Sequence, residues 1–369
     1  MSEIAQQASL AAVLRAAETD PSGLSDADYA ALLNADGAEL DALCALADAL
    51  RAETVGDELT YVVNRNLDTG VVGGAGEASR ARLVALVEEA AALGATEICL
   101  QGPLPANAPE DGYRELVRTI AAAAPGLHLH AFRPAEVADG AVRVGLSPRE
   151  FLESLREAGL GSVPGTAARI LDDDVRAALT GGTDIPVARW IELISTAHEV
   201  GLRSTATMVY GHIETPWQQV AHLRTLAAIQ DRTGGFTEFI AMPYVPGVTG
   251  PDLASVAQLK GVAAGSQARP SARESRAVHA VARLMLHGRV DHIQTAWTKL
   301  GMDLTRHLLR GGADDIGGLL LDGSLDPSAG AEQGRQLGVA DVARVADELG
   351  RRPRQRSTLY GEVGALPCR

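Results

Sequence analysis

Through residues 3–50, apolar side chains recur at helical spacing, and Asp and Glu occupy the positions between them. This is the pattern of helices that bury one face and solvate the other. Asp20-Pro-Ser-Gly interrupts the run with turn-forming residues. Beyond it the pattern changes to short apolar segments, each followed by an amphipathic stretch. Strands are expected at 59–63, 97–100, 127–132, 162–164, 203–208, 236–242 and 292–295, with an eighth near 312–316. Helices are expected at 78–93, 113–123, 148–158, 188–200, 217–232, 272–287 and 298–309. Gly94, Gly159, Gly201, Gly288 and Gly311 supply the stop signals, since glycine reaches the left-handed conformation that ends a helix.

About eight strand-then-helix units in this length is the arithmetic of an α/β fold of the (β/α)8 TIM-barrel type. A doubly wound open sheet is the alternative. The expected organisation is an N-terminal helical cap at 1–54, a barrel at 55–350 and a C-terminal tail at 351–369. The stretch 246–270, rich in Gly, Ala and Ser, reads as a long loop, and long loops in barrels often act as lids. The basic run from Arg351 to Arg356 reads as part of a tail packed on the barrel or partly disordered.

Composition narrows the function. The chain of 369 residues carries a formal charge of −14 and only 4% aromatic residues, a poor basis for binding polyphosphate or stacking on bases, so no nucleic-acid partner is expected. No stretch reaches the roughly 18 apolar residues of a membrane span, and no membrane partner is expected. The start has neither a basic nor an apolar leader region, so the expected location is cytoplasmic. The three cysteines, Cys44, Cys99 and Cys368, stand far apart and form no CxxC pair. Cys99 reads as a buried strand residue, and no metal site is expected.

In a barrel the chemistry sits at the carboxyl ends of the strands. That rule selects Asn64-Arg65-Asn66, Gln101 and Gly102, His130 with Glu136, Gly165-Thr166, the stretch from Met208 to His212, Pro243-Tyr244, the stretch from Gln294 to Trp297, and Asp314-Asp315. His128 and His130 alternate on one strand and are expected to face opposite sides, which would exclude a simple metal pair. His130 and His212 are candidates for holding a ligand or moving a proton; the alternative for each is a histidine satisfied by backbone groups at the rim. The glycine-rich run 72–76 is a weak phosphate-cradle signal, because the full GxGxxG spacing is missing.

The segments Tyr61-Val-Val-Asn-Arg-Asn66, Leu127-His-Leu-His-Ala-Phe132, Gly161-Ser-Val-Pro-Gly-Thr-Ala-Ala168, Thr205-Ala-Thr-Met-Val-Tyr-Gly-His212, Asp231-Arg-Thr-Gly-Gly-Phe-Thr-Glu-Phe239 and Ile293-Gln-Thr-Ala-Trp297 carry a resemblance. Together they resemble the radical S-adenosylmethionine (SAM) enzymes of the deazaflavin (FO) synthase group, over about residues 55–358. The resemblance implies a SAM site, for which Asn64, Asn66, Gln101, Gly102, Ser162, Met208 and Gln294 are the matching positions, and Arg169, although it departs from the family, is a further candidate for holding SAM. It also implies the joining of tyrosine to a ribityl-uracil.

The departures shape the expectation. Where the family carries CxxxCxxC, whose thiolates hold a [4Fe-4S] cluster, residues 67–80 contain no cysteine. The family's Gln-Gly-Gly reads Gln101-Gly102-Pro103, its glutamate after Gly-Thr-Ala-Ala is Arg169, and its serine after His-Ala-Phe is Arg133. The expected function is therefore a cluster-free enzyme that binds SAM and uses it in polar chemistry. Transfer of a methyl or aminocarboxypropyl group, elimination and cyclisation are the reactions considered. Arg133 and Arg169 would then clamp the SAM carboxylate in place of iron. His130, Glu136, Tyr210, His212 and Glu238 are the candidate bases. The alternative is a catalytically inactive, FO-synthase-like binding or partner protein. A small-molecule substrate is the expected partner, and a homodimer is left open.

Overall fold

The computed structural model describes residues 3–245, 269–321 and 337–363, with side chains from Leu10 onward. Three helices open the chain: α1 (Glu3–Thr19), α2 (Asp26–Leu32) and α3 (Gly37–Val55). Ser25 caps α2 through a reciprocal pairing with Asp28, and Asp36 caps α3, so the helical pattern breaks twice rather than once. Leu40, Leu43, Cys44, Ala47 and Leu50 line one buried face of α3 at spacings of three and four. Each buried leucine contributes about 1.5–3 kcal/mol of apolar burial.

The barrel follows. Its elements are β1 (Glu58–Val62), β2 (Asn64–Asp68), α4 (Thr69–Val72), α5 (Glu77–Ala92), β3 (Glu97–Gln101), α6 (Gly112–Ala123) and β4 (His128–Ala131). Next come α7 (Pro134–Val144), α8 (Pro148–Ala158), β5 (Ser162–Val163), α9 (Asp173–Thr180), α10 (Val187–Glu199), β6 (Arg203–Tyr210), α11 (Pro216–Thr233) and β7 (Phe236–Pro243). The chain ends with α12 (Ala272–Met285), β8 (Ile293–Thr295), α13 (Trp297–Leu300), α14 (Met302–Leu309), β9 (Asp315–Gly318), α15 (Val339–Leu349) and β10 (Arg352–Gln355). All named strand pairs are parallel, in the order β10-β1-β9-β8-β7-β6-β5-β4-β3-β2.

The two halves of 58–68 explain that order. β1 bonds to β9 while β2 bonds to β3, and only Val63 separates them. The sheet therefore curls until both flanks meet one nearly continuous strand, which makes the fold an α/β barrel of the TIM type. The residues 64–66, expected just beyond the end of a strand at 59–63, instead continue as part of β2. The single helix expected at 298–309 is two, because Gly301 has φ 78° between α13 and α14. α3 packs on α12 and α2 on α11, outside the barrel. Arg273 at the start of α12 donates from Nη1 to the carbonyls of Leu33 and Ala35, which ties the first helices to the barrel.

The basic run near the C-terminus is not simply a tail. Arg352–Gln355 adds to β1 in parallel register, and Arg351 and Arg356 are buried. Most of the expected loop at 246–270 lies outside the described residues, as do residues 322–336 and Cys368. No helix among the described residues is long and apolar enough to cross a membrane.

Candidate functional site at the barrel mouth

Alternate residues of a strand face the same side, so each barrel strand offers every second residue to the interior. Val62, Asn64, Asn66 and Asp68 do so on β1 and β2, as do Glu97, Cys99 and Gln101 on β3, and Glu238, Ile240 and Met242 on β7. With His130, Thr205, Gln294 and residues of the loops that follow the strands, they line a cavity of about 510 Å³. This falls within the ordinary range for a small-molecule site.

The deep end is polar. Arg356 enters from the segment after β10, with Nε 2.5 Å from Asp315 Oδ2 and Nη2 3.1 Å from Glu238 Oε2 and 3.2 Å from Gln294 Oε1. Its guanidinium lies 4.0 Å from the centroid of the Tyr360 ring, and that ring stacks on His292 at 3.5 Å. Tyr360 donates to Glu238 over 2.7 Å. Thr358 donates to Glu97 over 2.7 Å, and Asn64 donates to the other oxygen of Glu97 over 3.3 Å. Burial pushes Glu238 up to about 7, with Asp315 and Glu97 adding to the rise while Arg356 and Tyr360 oppose it. The same surroundings hold Arg356 charged: burial disfavours the cation, and Asp315, Tyr360 and Glu238 outweigh it.

His130 is on the wall, with Nδ1 2.7 Å from Ser162 Oγ. His128 Nε2 is also 2.7 Å from that oxygen. The expectation that the two histidines face opposite sides is corrected: residues two apart on a strand share a face. Burial brings His130 down to about 4, so it is neutral near pH 7. Glycine is required where β5 meets β6, because a Cβ on Gly165 would lie 1.8 Å from the Thr205 carbonyl oxygen. Just beyond the strand ends, Phe132, Ala167 and Arg169 adopt φ of 67°, 65° and 46°, a conformation that costs non-glycine residues on the order of 1–2 kcal/mol.

Of the residues expected at the site, Asn64, Asn66, Gln101, Gly102, His130, Arg169, Glu238 and Gln294 line this cavity. Five others do not. Tyr210 points into the helical layer and donates to Ser275 over 2.9 Å. Met208, on the same face of β6, is fully buried in the apolar core. His212 turns back on its own loop, with Nε2 2.9 Å from the Val209 carbonyl oxygen and Nδ1 2.8 Å from the Ile213 N–H. Glu136 sits behind the wall, accepting from the Gly102 N–H over 3.0 Å and from Arg133 Nε over 2.6 Å. Ser162 reaches the cavity only through His130. Arg133 and Arg169 are at the mouth, but each already holds a carboxylate, Arg169 through Asp184 at 2.5 Å. The glycine-rich run packs tightly: a Cβ on Gly73 would lie 2.5 Å from the Thr69 carbonyl oxygen.

Glu97, Cys99, Arg356 and Thr358 were missed. Counting back by twos from Gln101 would have found the first two. Nothing local marks Arg356, whose place depends on β10 pairing across the sheet.

No family model matches the chain. The chain is 48% identical to the FO synthase of Nocardia farcinica, over 97% of this chain and 42% of that protein. It is 37% identical to the 5-amino-6-(D-ribitylamino)uracil–L-tyrosine 4-hydroxyphenyl transferase of Methanothermobacter thermautotrophicus, over 95% of this chain and 97% of that protein. The chain belongs to the FO synthase-like family of radical SAM proteins. It spans about two-fifths of the length of the FO synthases it matches. Among solved structures, methylornithine synthase shares the fold at a TM-score of 0.63 and 16% identity, over 89% of this chain and 94% of that one. The hydrogenase maturase HydG from Carboxydothermus hydrogenoformans does so at 0.65 and 14%, over 96% and 81%.

Family membership overturns the expected function. These relatives point to radical SAM catalysis, with SAM and a [4Fe-4S] cluster, and not to polar SAM chemistry without a cluster. The polar chemistry and the exclusion of a cluster are both corrected by this, while S-adenosylmethionine remains among the cofactors of the family. The donors described in this chain do not fit such a cluster. Residues 67–80 form the end of β2, α4 and the start of α5 and contain no thiol. Cys99 lies in β3, whereas Cys44 lies in α3 against Gly311. Among the described residues no three His, Cys, Asp or Glu side chains are grouped to hold a metal. No step below is routed through a cluster.

Proposed function

We propose that this chain is a cytoplasmic FO-synthase-type protein whose barrel cavity binds the substrates of 4-hydroxyphenyl transfer, a ribityl-aminouracil and tyrosine. The observation that supports this most is the ladder of polar side chains running the depth of the cavity. A diaminouracil offers N–H donors and two carbonyl acceptors in one plane, and its ribityl chain adds a row of hydroxyls. Glu97, Glu238 and Gln294 supply acceptors at the deep end, while Arg356, Asn64 and Thr358 supply donors there. Higher up, Asn66, Gln101 and Thr166 offer both, a spacing suited to a polyol. Arg133 and Arg169, each paired with a carboxylate, and Lys299 bring charged groups of both signs to the mouth, which suits the zwitterionic end of an amino acid.

The test is calorimetric titration with 5-amino-6-(D-ribitylamino)uracil and, separately, with tyrosine. Micromolar binding of the aminouracil is expected, weakened about 3- to 10-fold by Gln294→Ala, the loss of one neutral hydrogen bond. No binding of either compound at millimolar concentration would remove this reading.

A further inference from the structure

Ser162 has a single hydroxyl proton, yet two imidazole nitrogens, His128 Nε2 and His130 Nδ1, each lie 2.7 Å from its oxygen. The hydroxyl therefore donates to one ring and accepts from the other. Only two arrangements satisfy both bonds with neutral rings. In the first, His128 Nε2 donates to Ser162, Ser162 donates to His130 Nδ1, and the remaining ring nitrogen of His130, Nε2, carries a proton. In the second every bond is reversed, and His130 Nε2 is a bare acceptor.

The two ends of this chain of bonds open on different surroundings. His130 lines the cavity. His128 is the first residue of β4, at the amino-terminal end of the barrel, and is half-buried. Neither His130 Nε2 nor His128 Nδ1 is among the buried side-chain atoms that lack a partner. Gly161 keeps the outer ring in place, because a Cβ there would lie 2.5 Å from His128 Cε1. The charged groups that face the pair are Glu97 on β3, toward both rings, and Arg356, toward His130. Cys99 pairs with His130 in register.

We propose that His128, Ser162 and His130 form a proton relay between the barrel cavity and the solvent at its amino-terminal end. In the second arrangement His130 Nε2 takes a proton from an N–H or O–H acid bound in the cavity. His130 Nδ1–H then passes to Ser162, Ser162 O–H passes to His128 Nε2, and His128 Nδ1–H passes to water. One proton crosses, no electron moves, and the rings finish in the first arrangement. A second consequence is that the outer end sets the inner one. A protonated His128 can only donate to Ser162, which obliges Ser162 to donate to His130 Nδ1 and makes His130 Nε2 a donor toward the cavity. The relay's use in catalysis rests on the cavity being a ligand site; the coupling of the two rings does not.

Long-range proton–nitrogen NMR of histidine-labelled, ligand-free protein reads which nitrogen of each ring carries the proton. The two rings are assigned through His128→Gln and His130→Gln. As pH falls through the titration of His128, and before His130 itself titrates, the tautomer ratio of His130 should move toward Nε2–H by about tenfold. In Ser162→Ala that movement should vanish, and Ser162→Thr, which keeps the hydroxyl, should restore it. His128→Gln should leave the ratio flat over the same range. A ratio in the unaltered protein that ignores His128, or one that still follows it in Ser162→Ala, would overturn the relay. If Ser162→Ala fails to fold, the His128→Gln comparison decides alone: a pH-dependent ratio in that variant rejects the proposal. Because no ligand is present, failure here is distinct from failure of the cavity to bind the aminouracil.

Discussion

Replacing Arg356 by methionine removes a charge from the deep end of the barrel while keeping most of the side-chain volume. Arg356 is 1% exposed, and its partners Asp315 and Glu238 are 0% and 4% exposed, so water does not replace what is lost. Taking one member out of such a buried ion pair typically costs about 3–5 kcal/mol, because the partner remains charged and desolvated. Here two carboxylates lose the same cation, and the contact over Tyr360 is lost as well. The expected loss is at the upper end of that range. The protein has one means of relief, protonation of Glu238, which is already pushed up to about 7 and rises further without Arg356. The loss should therefore be smaller at pH 5 than at pH 8, and Glu238→Gln added to Arg356→Met should recover part of it at pH 8. Urea unfolding followed by tryptophan fluorescence, with an unchanged slope, measures all of these quantities. A loss below about 1 kcal/mol at pH 8, or one independent of pH, would refute the account of this cluster.

Two further outcomes follow from the same structure. The folded-state value of Glu238 is raised above the 4.5 of an unperturbed carboxyl, so the folded chain binds more protons between about pH 4.5 and 7. Its contribution is thus most favourable at low pH and declines as pH rises through 7. Glu238→Gln should gain stability relative to the unaltered protein across that window, by on the order of 2–3 kcal/mol, and parallel stability-versus-pH curves would contradict this. Gly165→Ala would set a methyl group against the Thr205 carbonyl oxygen, forcing the junction of β5 and β6 apart. Unfolding experiments should show a loss of about 3 kcal/mol or more, and a loss under 1 kcal/mol would mean that the junction yields easily.

The barrel was legible in the sequence because its signals are local. A strand buried on both sides reads as a short apolar run, and a helix covering it reads as a 3.6-residue stripe ended by glycine. β3 at Glu97–Gln101 and α8 at Pro148–Ala158 fall where those signals put them. The wall of the site was partly legible for the same reason: Gln101, His130 and Gln294 sit at or near the carboxyl ends of their strands, where a barrel opens its cavity, whereas Asn64 opens β2 and lines the cavity by strand alternation. The family was legible in six segments, whereas the inferred chemistry was not, because an altered motif does not by itself say what the protein does instead.

Other parts depended on which strands meet. Tyr210 and Met208 occupy one face of β6, and only the packing of α12 and the core makes that face the outer one. The pairing of both histidines with one serine arises where β4 lies beside β5, some thirty residues on in the chain. The deep end of the cavity depends most on tertiary structure. Arg356 follows β10, and β10 lies beside β1, almost three hundred residues earlier in sequence. A buried guanidinium is tolerated only where carboxylates converge on it, and Asp315 and Glu238 come from two other strands. Local sequence determines which residues can form a strand or a helix; which charges meet inside the barrel is decided by closure of the sheet.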